Sequence, residues 1–242
     1  MRPYLVFALY GPMAAYGGVA VGERRAGEPR PMRSALLGML AASHGITRDK
    51  VDLLAAIEHG YGLAVRVDAA GIALSDYQTA QVPASRRGVR YATRATELAV
   101  KGDLETVLSR RDYRTDSLHT VAIWAKDHPP IALEALADGL RTPAFVLSIG
   151  RKSCPLGLPP APEIVTAPDV LTAMAARVVP QPEQTVRQRL AARPSLLATD
   201  PGGMASSPRW TEMRRDAVAS RARWQFSLRA EQVFDLTQAG AA

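Results

Sequence analysis

The stretch "PYLVFALYG", residues 3–11, is a short apolar run that ends at Gly11 and Pro12. Its length and aromatic content are typical of a buried central strand. The next apolar segment, "PMRSALLGMLAASHGI" at 31–46, has the spacing of an amphipathic helix, and we expect Ser34 to cap it. Gly38 lies inside this helix, where we expect another backbone to approach closely. A strand followed by a helix predicts a mixed fold.

The segments that follow continue this alternation. We predict further helices at 51–60 and 129–140. We predict further strands at 61–68, 72–79, 119–125 and 143–150. Strand, helix, strand, insertion, strand, helix, strand is the ferredoxin-like (RRM-like) order. The sequence therefore predicts an α+β fold, in which helices cover one face of an antiparallel sheet.

A long insertion, at about residues 69–117, separates the second and third strands of this pattern. It is too long for an unstructured connection, so we predict a long projecting β-hairpin. After the last predicted strand the chain becomes Pro-rich, and a helix at 169–178 and a strand at 220–229 follow. We divide the chain into a ferredoxin-like domain at 1–155 and a small C-terminal subdomain at 156–242.

The charge of the chain favours an acidic partner. Its 242 residues include 30 lysines and arginines against 23 acidic residues, which gives a net charge of +7. Nearly all of these cations are arginines, which suit bidentate phosphate contacts and stacking on bases. The alternative is a GC-rich genome that favours arginine codons.

Several function classes are disfavoured by the sequence. The single cysteine, Cys154, allows no disulfide within the chain and sits in no Cys/His cluster, so we expect no metal and no cofactor. The chain starts without a leader pattern and contains no apolar run of the roughly 20 residues that a membrane span needs. We expect a soluble, cytoplasmic protein with no membrane contact.

An arginine cluster in the insertion suggests nucleic-acid binding. In "QVPASRRGVRYATRAT", residues 81–96, an aromatic side chain lies among clustered cations. Single-stranded nucleic acid needs both, because a guanidinium binds phosphate and a ring stacks on a base. The alternative is a solvated hairpin surface. The candidate residues here are Arg86, Arg87, Arg90, Tyr91 and Arg94.

Three further arginines, Arg110, Arg111 and Arg114, lie in "SRRDYRTDS" at the end of the insertion. They could face the earlier cluster across a hairpin. Asp112 and Asp116 lie beside them and offer the alternative of simple ion pairing.

The start of the predicted helix is a second candidate site. Helix N-termini expose unpaired N–H groups and a partial positive charge, which attract phosphate. Arg33 and Ser34 would add side-chain donors, and a Gly- and Pro-rich loop leads in. The alternative is an ordinary capped helix beside exposed arginines. The arginines of the loop are Arg24, Arg25 and Arg30.

A glycine loop follows the predicted strand at 143–150. In "IGRKSCPLG", residues 149–157, Gly150 would let a ligand approach, and Arg151, Lys152 and Ser153 would add donors to an anion-binding nest. The spacing of a P-loop is missing. We expect Cys154 to be a structural thiol, because no histidine lies near it in the sequence.

In their order and spacing, five segments resemble the CasD family, the small non-catalytic subunit of the type I-E CRISPR Cascade complex. Most of residues 1–155 are covered, and "RSALLGML" and "GRKSCPL" are the most specific parts. Tyr16 stands where we expect tryptophan in relatives. Near the C-terminus, "RRDAVASRARW" is similar to an Arg-rich motif of the family. The five segments are "LVFALYGPMAAYG", "PMRSALLGMLAASHGI", "LSDYQT", "HTVAIW" and "IGRKSCPLG".

The resemblance implies a fold of the RAMP superfamily with a thumb-like hairpin, here the arginine-rich insertion. It implies that the chain binds the 5′ handle of CRISPR RNA and caps one end of the complex. It would contact the CasC backbone subunit and the large CasA subunit, and target DNA only indirectly. Arg33, Ser34 and the loop from Gly150 to Ser153 would contact the handle.

Two alternatives remain open. The first is a metal-independent endoribonuclease that processes CRISPR repeat RNA and needs an acid and a base near the 2′-hydroxyl. His119, Tyr113 and Lys126 are its candidates, and nothing in the sequence brings them together. The second is a protein-only scaffold whose arginines pair with acidic neighbours.

Overall fold

The computed structural model describes residues 1–18, 20, 22–85, 87–99, 101–220, 223 and 225–237. The helices are α1 Arg33–Ser43, α2 Val51–Gly60, α3 Arg94–Glu97, α4 Leu133–Arg141, α5 Val170–Ala176 and α6 Gln181–Arg189, and a 3-10 turn spans Lys101–Asp103. The strands are β1 Arg2–Ala14, β2 Arg24–Arg25, β3 Tyr61–Ala69, β4 Ile72–Pro83, β5 Leu104–Ala125, β6 Glu163–Ala167, β7 Leu196–Thr199, β8 Trp210–Ser220 and β9 Gln225–Asp235.

One large sheet organises the chain. Its strand order is β6-β1-β5-β3-β7-β9-β8, and adjacent strands along this path are antiparallel. The short strand β2 and the long strand β4 also pair with β5. Ile123 of β5 lies opposite Leu5 on one side and Leu63 on the other. The apolar run that opens the chain is therefore a central strand, as predicted.

Helices cover both faces of the sheet. Leu5, Phe7 and Leu9 point to one face and pack against α1, α2 and α4. The alternate residues Tyr4 and Val6 point to the other face and pack in a second apolar cluster with residues of α5. The prediction that helices cover one face is corrected, because a strand that is apolar at every position needs cover on both sides.

A two-stranded hairpin lies in the predicted insertion. β4 pairs with the first half of β5, from Ile72 opposite Thr115 to Pro83 opposite Leu104. The second half of β5 continues into the core, where Val121 and Ile123 are fully buried. The base of the hairpin is thereby fixed to the centre of the sheet.

Residues 143–150 were predicted as a strand, and this is wrong. The N–H groups of Ala144 and Phe145 donate to carbonyls at the end of α1, those of Ser43 and Ala42, instead of to a neighbouring strand. Leu147 and Ile149 are nevertheless buried, so an irregular segment meets the apolar pattern. The fourth strand of the central group is β6, which pairs with β1.

The C-terminal part of the chain extends the same sheet. β7 pairs with β3, and β9 joins β7 to β8. A boundary at residue 155 stays a prediction, while strands from both sides of it are hydrogen-bonded in one sheet. Within the described ranges, no helix has the length and apolarity that crossing a membrane requires.

Candidate nucleic-acid interface

A sharp turn at Gly150 lies at the centre of the candidate site. Gly150 has a φ of +84°, and a Cβ atom there would lie 1.9 Å from the carbonyl oxygen of Ala15. The turn is closed by hydrogen bonds from the Cys154 N–H to the Arg151 carbonyl at 2.9 Å and from the Ile149 N–H to the Cys154 carbonyl at 2.7 Å. Only glycine fits this position, which packs the turn against the segment that follows β1.

The first side chain after this glycine is held against the hairpin. The guanidinium carbon of Arg151 lies 4.7 Å from the ring centroid of Tyr113, a residue of β5. Tyr113 is buried beside Ala15 and Cys154, which confirms a structural thiol. Lys152 and Ser153 are exposed. The Gly150 turn thus brings three of the predicted donors to one edge of the fold.

A cavity of about 280 Å³ opens beside the Gly150 turn, and we call it the arginine cavity. It lies between that turn, the glycine loop after β1 and the first turn of α1. Small residues such as Gly17, Gly18 and Ala35 line it, together with the side chains of Arg25 and Arg151. Small side chains leave the backbone accessible, so a ligand can approach closely.

The carboxylate that lines the arginine cavity is already engaged. Asp112 accepts hydrogen bonds from Ser75 Oγ at 2.9 Å and from Arg24 at 3.1 Å. The hydrogen bond from Ser75 and the charge of Arg24 lower the pKa of Asp112, so it stays ionised. Arg25 and Arg151 form no ion pair within the described part of the chain. Their two positive charges therefore exceed the negative charge of the cavity.

The hairpin carries most of its predicted cations at the surface. Arg87, Arg90 and Tyr91 are exposed in the connection between β4 and β5. Arg94 pairs with Glu97 at 2.6 Å, so its charge is partly neutralised. Arg86 lies outside the described residues.

An aromatic residue that the sequence reasoning missed lies on the same hairpin. Tyr77 is 59% exposed and stands opposite the exposed Arg110 in the β4–β5 register. Its signal was present in "LSDYQT", where alternation along β4 could have placed it at the surface. Arg111, in contrast, is partly buried and donates to Ser109 Oγ at 3.2 Å.

The predicted phosphate site at the start of α1 is wrong. Arg33 is buried, and its guanidinium lies 2.7 Å from Asp200 and 3.3 Å from Glu58. Its backbone N–H donates to Asp216 Oδ2 at 2.8 Å. The helix N-cap is Met32 rather than Ser34, which is only partly exposed. Carboxylates of the chain itself therefore occupy this helix start.

Arg30 is likewise paired with carboxylates of the chain itself. Its guanidinium is buried and donates to the carboxylates of Glu212 and Glu231, on β8 and β9. The prediction that Arg30 contacts RNA is therefore corrected. The C-terminal hairpin, formed by β8 and β9, supplies the carboxylates that bind the side chain of Arg30 and the backbone N–H of Arg33. These internal contacts explain why arginines precede a core helix.

The three candidates for acid–base catalysis do not form a catalytic cluster. His119 is fully buried; Tyr16 OH lies 3.1 Å from Nδ1, and Nε2 has no partner among the described residues. Burial lowers the pKa of His119 to about 4, so it is neutral at pH 7. Lys126 lies 3.8 Å from Asp200, and burial lowers its pKa. Tyr113 packs under Arg151 instead.

In the portion that the structure describes, no group of three or more His, Cys, Asp or Glu side chains could hold a metal ion.

Comparisons with known proteins place this geometry in context. Residues 4–230 match the model of the family described as "CRISPR-associated protein (Cas_Cas5)". The chain is 33% identical over 159 residues to "CRISPR system Cascade subunit CasD" of Escherichia coli (strain K12). That match covers 66% of this chain and 70% of the relative.

Two solved structures share the fold. A chain of a "CRISPR RNA-guided surveillance complex" aligns with a TM-score of 0.63 and 22% identity, over 96% of this chain and 89% of that one. A second, "Crystal structure of Cas protein", aligns with a TM-score of 0.55 and 20% identity, over 96% and 93%. At these identities the likeness concerns the fold alone.

Proposed function

This chain belongs to the Cas_Cas5 family of CRISPR-associated proteins, and from that premise we propose that it is a non-catalytic, RNA-binding subunit of a Cascade complex. Its relative in Escherichia coli is named a subunit of Cascade, which supports membership of such a complex. The residues that would perform this function are argued below from their placement.

We propose that the core is ferredoxin-like. The order β6-β1-β5-β3, antiparallel throughout, supports this, since it places the first strand between the fourth and the third of the predicted pattern. The β4–β5 hairpin would be the thumb, and β8 and β9 the main part of a C-terminal unit.

The ligand would be the 5′ handle of a CRISPR RNA. The observation that supports this best is the arginine cavity beside the hairpin base, where Arg25 and Arg151 lack carboxylate partners within the described residues. RNA offers a phosphate at every nucleotide, and single-stranded bases stack on exposed rings such as Tyr77 and Tyr91. Phosphate contacts would supply affinity, and contacts to splayed bases would supply specificity.

In the complex, the chain would cap the end of the backbone. It would contact the CasC backbone subunit and the large CasA subunit, and reach target DNA only through them. The exposed hairpin, with Ile72 at 74% exposure and Val107 at 48%, offers apolar surface that a neighbouring subunit could cover. The assembly would be a soluble ribonucleoprotein of the cytoplasm.

The alternative, an endoribonuclease, is less well supported. A general base must reach the 2′-hydroxyl, whereas His119 is fully buried and Tyr113 is packed under a guanidinium. The third hypothesis, a protein-only scaffold, fits Arg30 and Arg33, which pair internally, but leaves the cations of the arginine cavity without a role.

Specificity for the handle is the test of this proposal. The affinity of the purified chain is measured for a CRISPR RNA with its natural 5′ handle and for the same RNA with the handle sequence shuffled. We expect tighter binding of the natural handle. Equal affinity for both would leave a non-specific RNA-binding protein and contradict the handle assignment.

A further inference from the structure

The side chain of Arg151 has an unmet hydrogen-bonding requirement. Its Nη1 atom is buried and has no partner among the described residues. Buried polar groups are normally paired, and an unpaired charged donor is costly. Such a group is therefore an indication that an acceptor from outside the chain completes the site.

The position of this guanidinium is fixed from two sides. The Gly150 turn holds its backbone through the Cys154 N–H, and the Tyr113 ring lies 4.7 Å from its guanidinium carbon. Stacking on a ring stabilises a cation but accepts no hydrogen bond in the guanidinium plane. Tyr113 thus orients the group and leaves its N–H donors free.

The surroundings of Arg151 favour an anionic acceptor. It lines the arginine cavity together with Arg25, while the carboxylate of Asp112 is committed to Ser75 and Arg24. Charge-assisted hydrogen bonds are the stronger ones, and a guanidinium fork matches phosphate geometry. Small neighbours such as Gly17 and Gly18 leave room for a backbone to enter.

We propose that Arg151, oriented by Tyr113, binds one phosphodiester group of the RNA inside the arginine cavity. The proposal rests on the proposed function, because RNA supplies the phosphate. Since Tyr113 belongs to β5, the same contact couples the phosphate to the base of the hairpin. Arg151 is the binding residue, and Tyr113 is a positioning residue.

The test uses the full chain and a handle RNA in which single phosphodiesters are replaced by uncharged methylphosphonates. In the wild type, one position should cost about tenfold or more in affinity, as expected for a lost charge-assisted hydrogen bond. In Arg151→Ala, affinity for the normal RNA should fall by a similar factor, and substitution at that position should cost nothing further. Arg209→Ala, which removes an exposed arginine on another edge, should behave as the wild type.

The role of Tyr113 is tested by two variants. Tyr113→Phe keeps the ring and should retain affinity, whereas Tyr113→Leu should weaken binding only while Arg151 is present. Additive effects of Tyr113→Leu and Arg151→Ala would contradict the positioning role, because groups that act together are non-additive. Thermal melts confirm that each variant is folded.

The outcomes separate the two proposals. A wild-type chain that binds no handle RNA overturns the proposed function and this inference with it. Wild-type binding that Arg151→Ala leaves unchanged overturns this inference alone. A third outcome concerns the bases. If removal of one base, and not of a phosphate charge, no longer lowers RNA affinity in Arg151→Ala, then Arg151 contacts a base and the phosphate assignment is wrong.

Discussion

The backbone N–H of Arg33 donates to Oδ2 of Asp216 at 2.8 Å, so a buried carboxylate of β8 caps the first turn of α1. Helix N-termini favour negative charge, and here the chain supplies it. Arg229 extends the arrangement, since its guanidinium lies 2.7 Å from Asp216 and 3.0 Å from Asp200. The C-terminal hairpin is therefore joined to α1 by charged groups.

Replacement of Arg33 tests this structural role. Arg33→Ala leaves Glu58 buried without its guanidinium partner and removes one of the cations that pair with the buried Asp200, and we expect a loss of roughly 3–5 kcal/mol in the free energy of unfolding. Urea titration measures the loss. Arg141→Ala, which breaks an exposed pair with Asp138, should cost less than about 1 kcal/mol. Normal stability together with weaker RNA binding would restore Arg33 as a phosphate contact.

The exposed cations of the hairpin connection should act through charge. Arg87→Ala combined with Arg90→Ala removes two exposed guanidiniums, and each lost phosphate contact lowers the log–log salt slope by about 0.7. We expect a slope shallower by about 1.4 and an unchanged melting temperature. Identical slopes for the variant and the wild type would remove the connection from the interface.

The buried histidine makes stability depend on pH. Burial lowers the pKa of His119 from 6.5 to about 4, so below pH 6.5 the unfolded chain takes up a proton that the folded chain does not. This contribution is lost as pH falls from 6.5 to 4 and amounts to roughly 3 kcal/mol. In His119→Gln the fall over that window should be smaller. Denaturant titrations at several pH values measure it, and parallel curves would contradict the assignment.

Replacement of two glycines by alanine should change the stability of the chain in opposite directions. Gly150→Ala places a methyl group against the Ala15 carbonyl at a φ of +84°, so we expect lower stability and weaker RNA binding. Among the described residues outside its own helix backbone, nothing lies within 4 Å of the Cβ position of Gly38, so the predicted close approach is wrong. Gly38→Ala should raise helix stability by about 0.5–1 kcal/mol. Thermal melts distinguish the two, and equal effects would sink the account of the turn.

Local patterns predicted the regular elements well. The helix at 51–60 and the strand from residue 61 are confirmed, because each has a clear period and an end signal. The prediction of a strand at 143–150 was wrong, because apolar alternation also suits an irregular segment that buries Leu147 and Ile149. The start of the fourth strand, Glu163, follows a Pro-rich stretch that gave no periodic signal.

In the candidate site, too, features with a local sequence signal could be predicted and features set by distant residues could not. Gly150 could be predicted, because a glycine after an apolar segment has a local meaning. The internal pairing of Arg30 and Arg33 could not, since Glu231 and Asp200 lie far along the chain. Which cations stay free is decided by tertiary contacts, and a local window does not contain them.

The most direct test of the central claim takes the wild-type chain and end-labelled CRISPR repeat RNA with its handle. Affinity is measured across a salt series, and the same samples are run on a denaturing gel. The account predicts binding that weakens steeply with salt while the RNA stays intact. Salt-insensitive binding would contradict the phosphate contacts, and a discrete cleavage product would contradict the non-catalytic role.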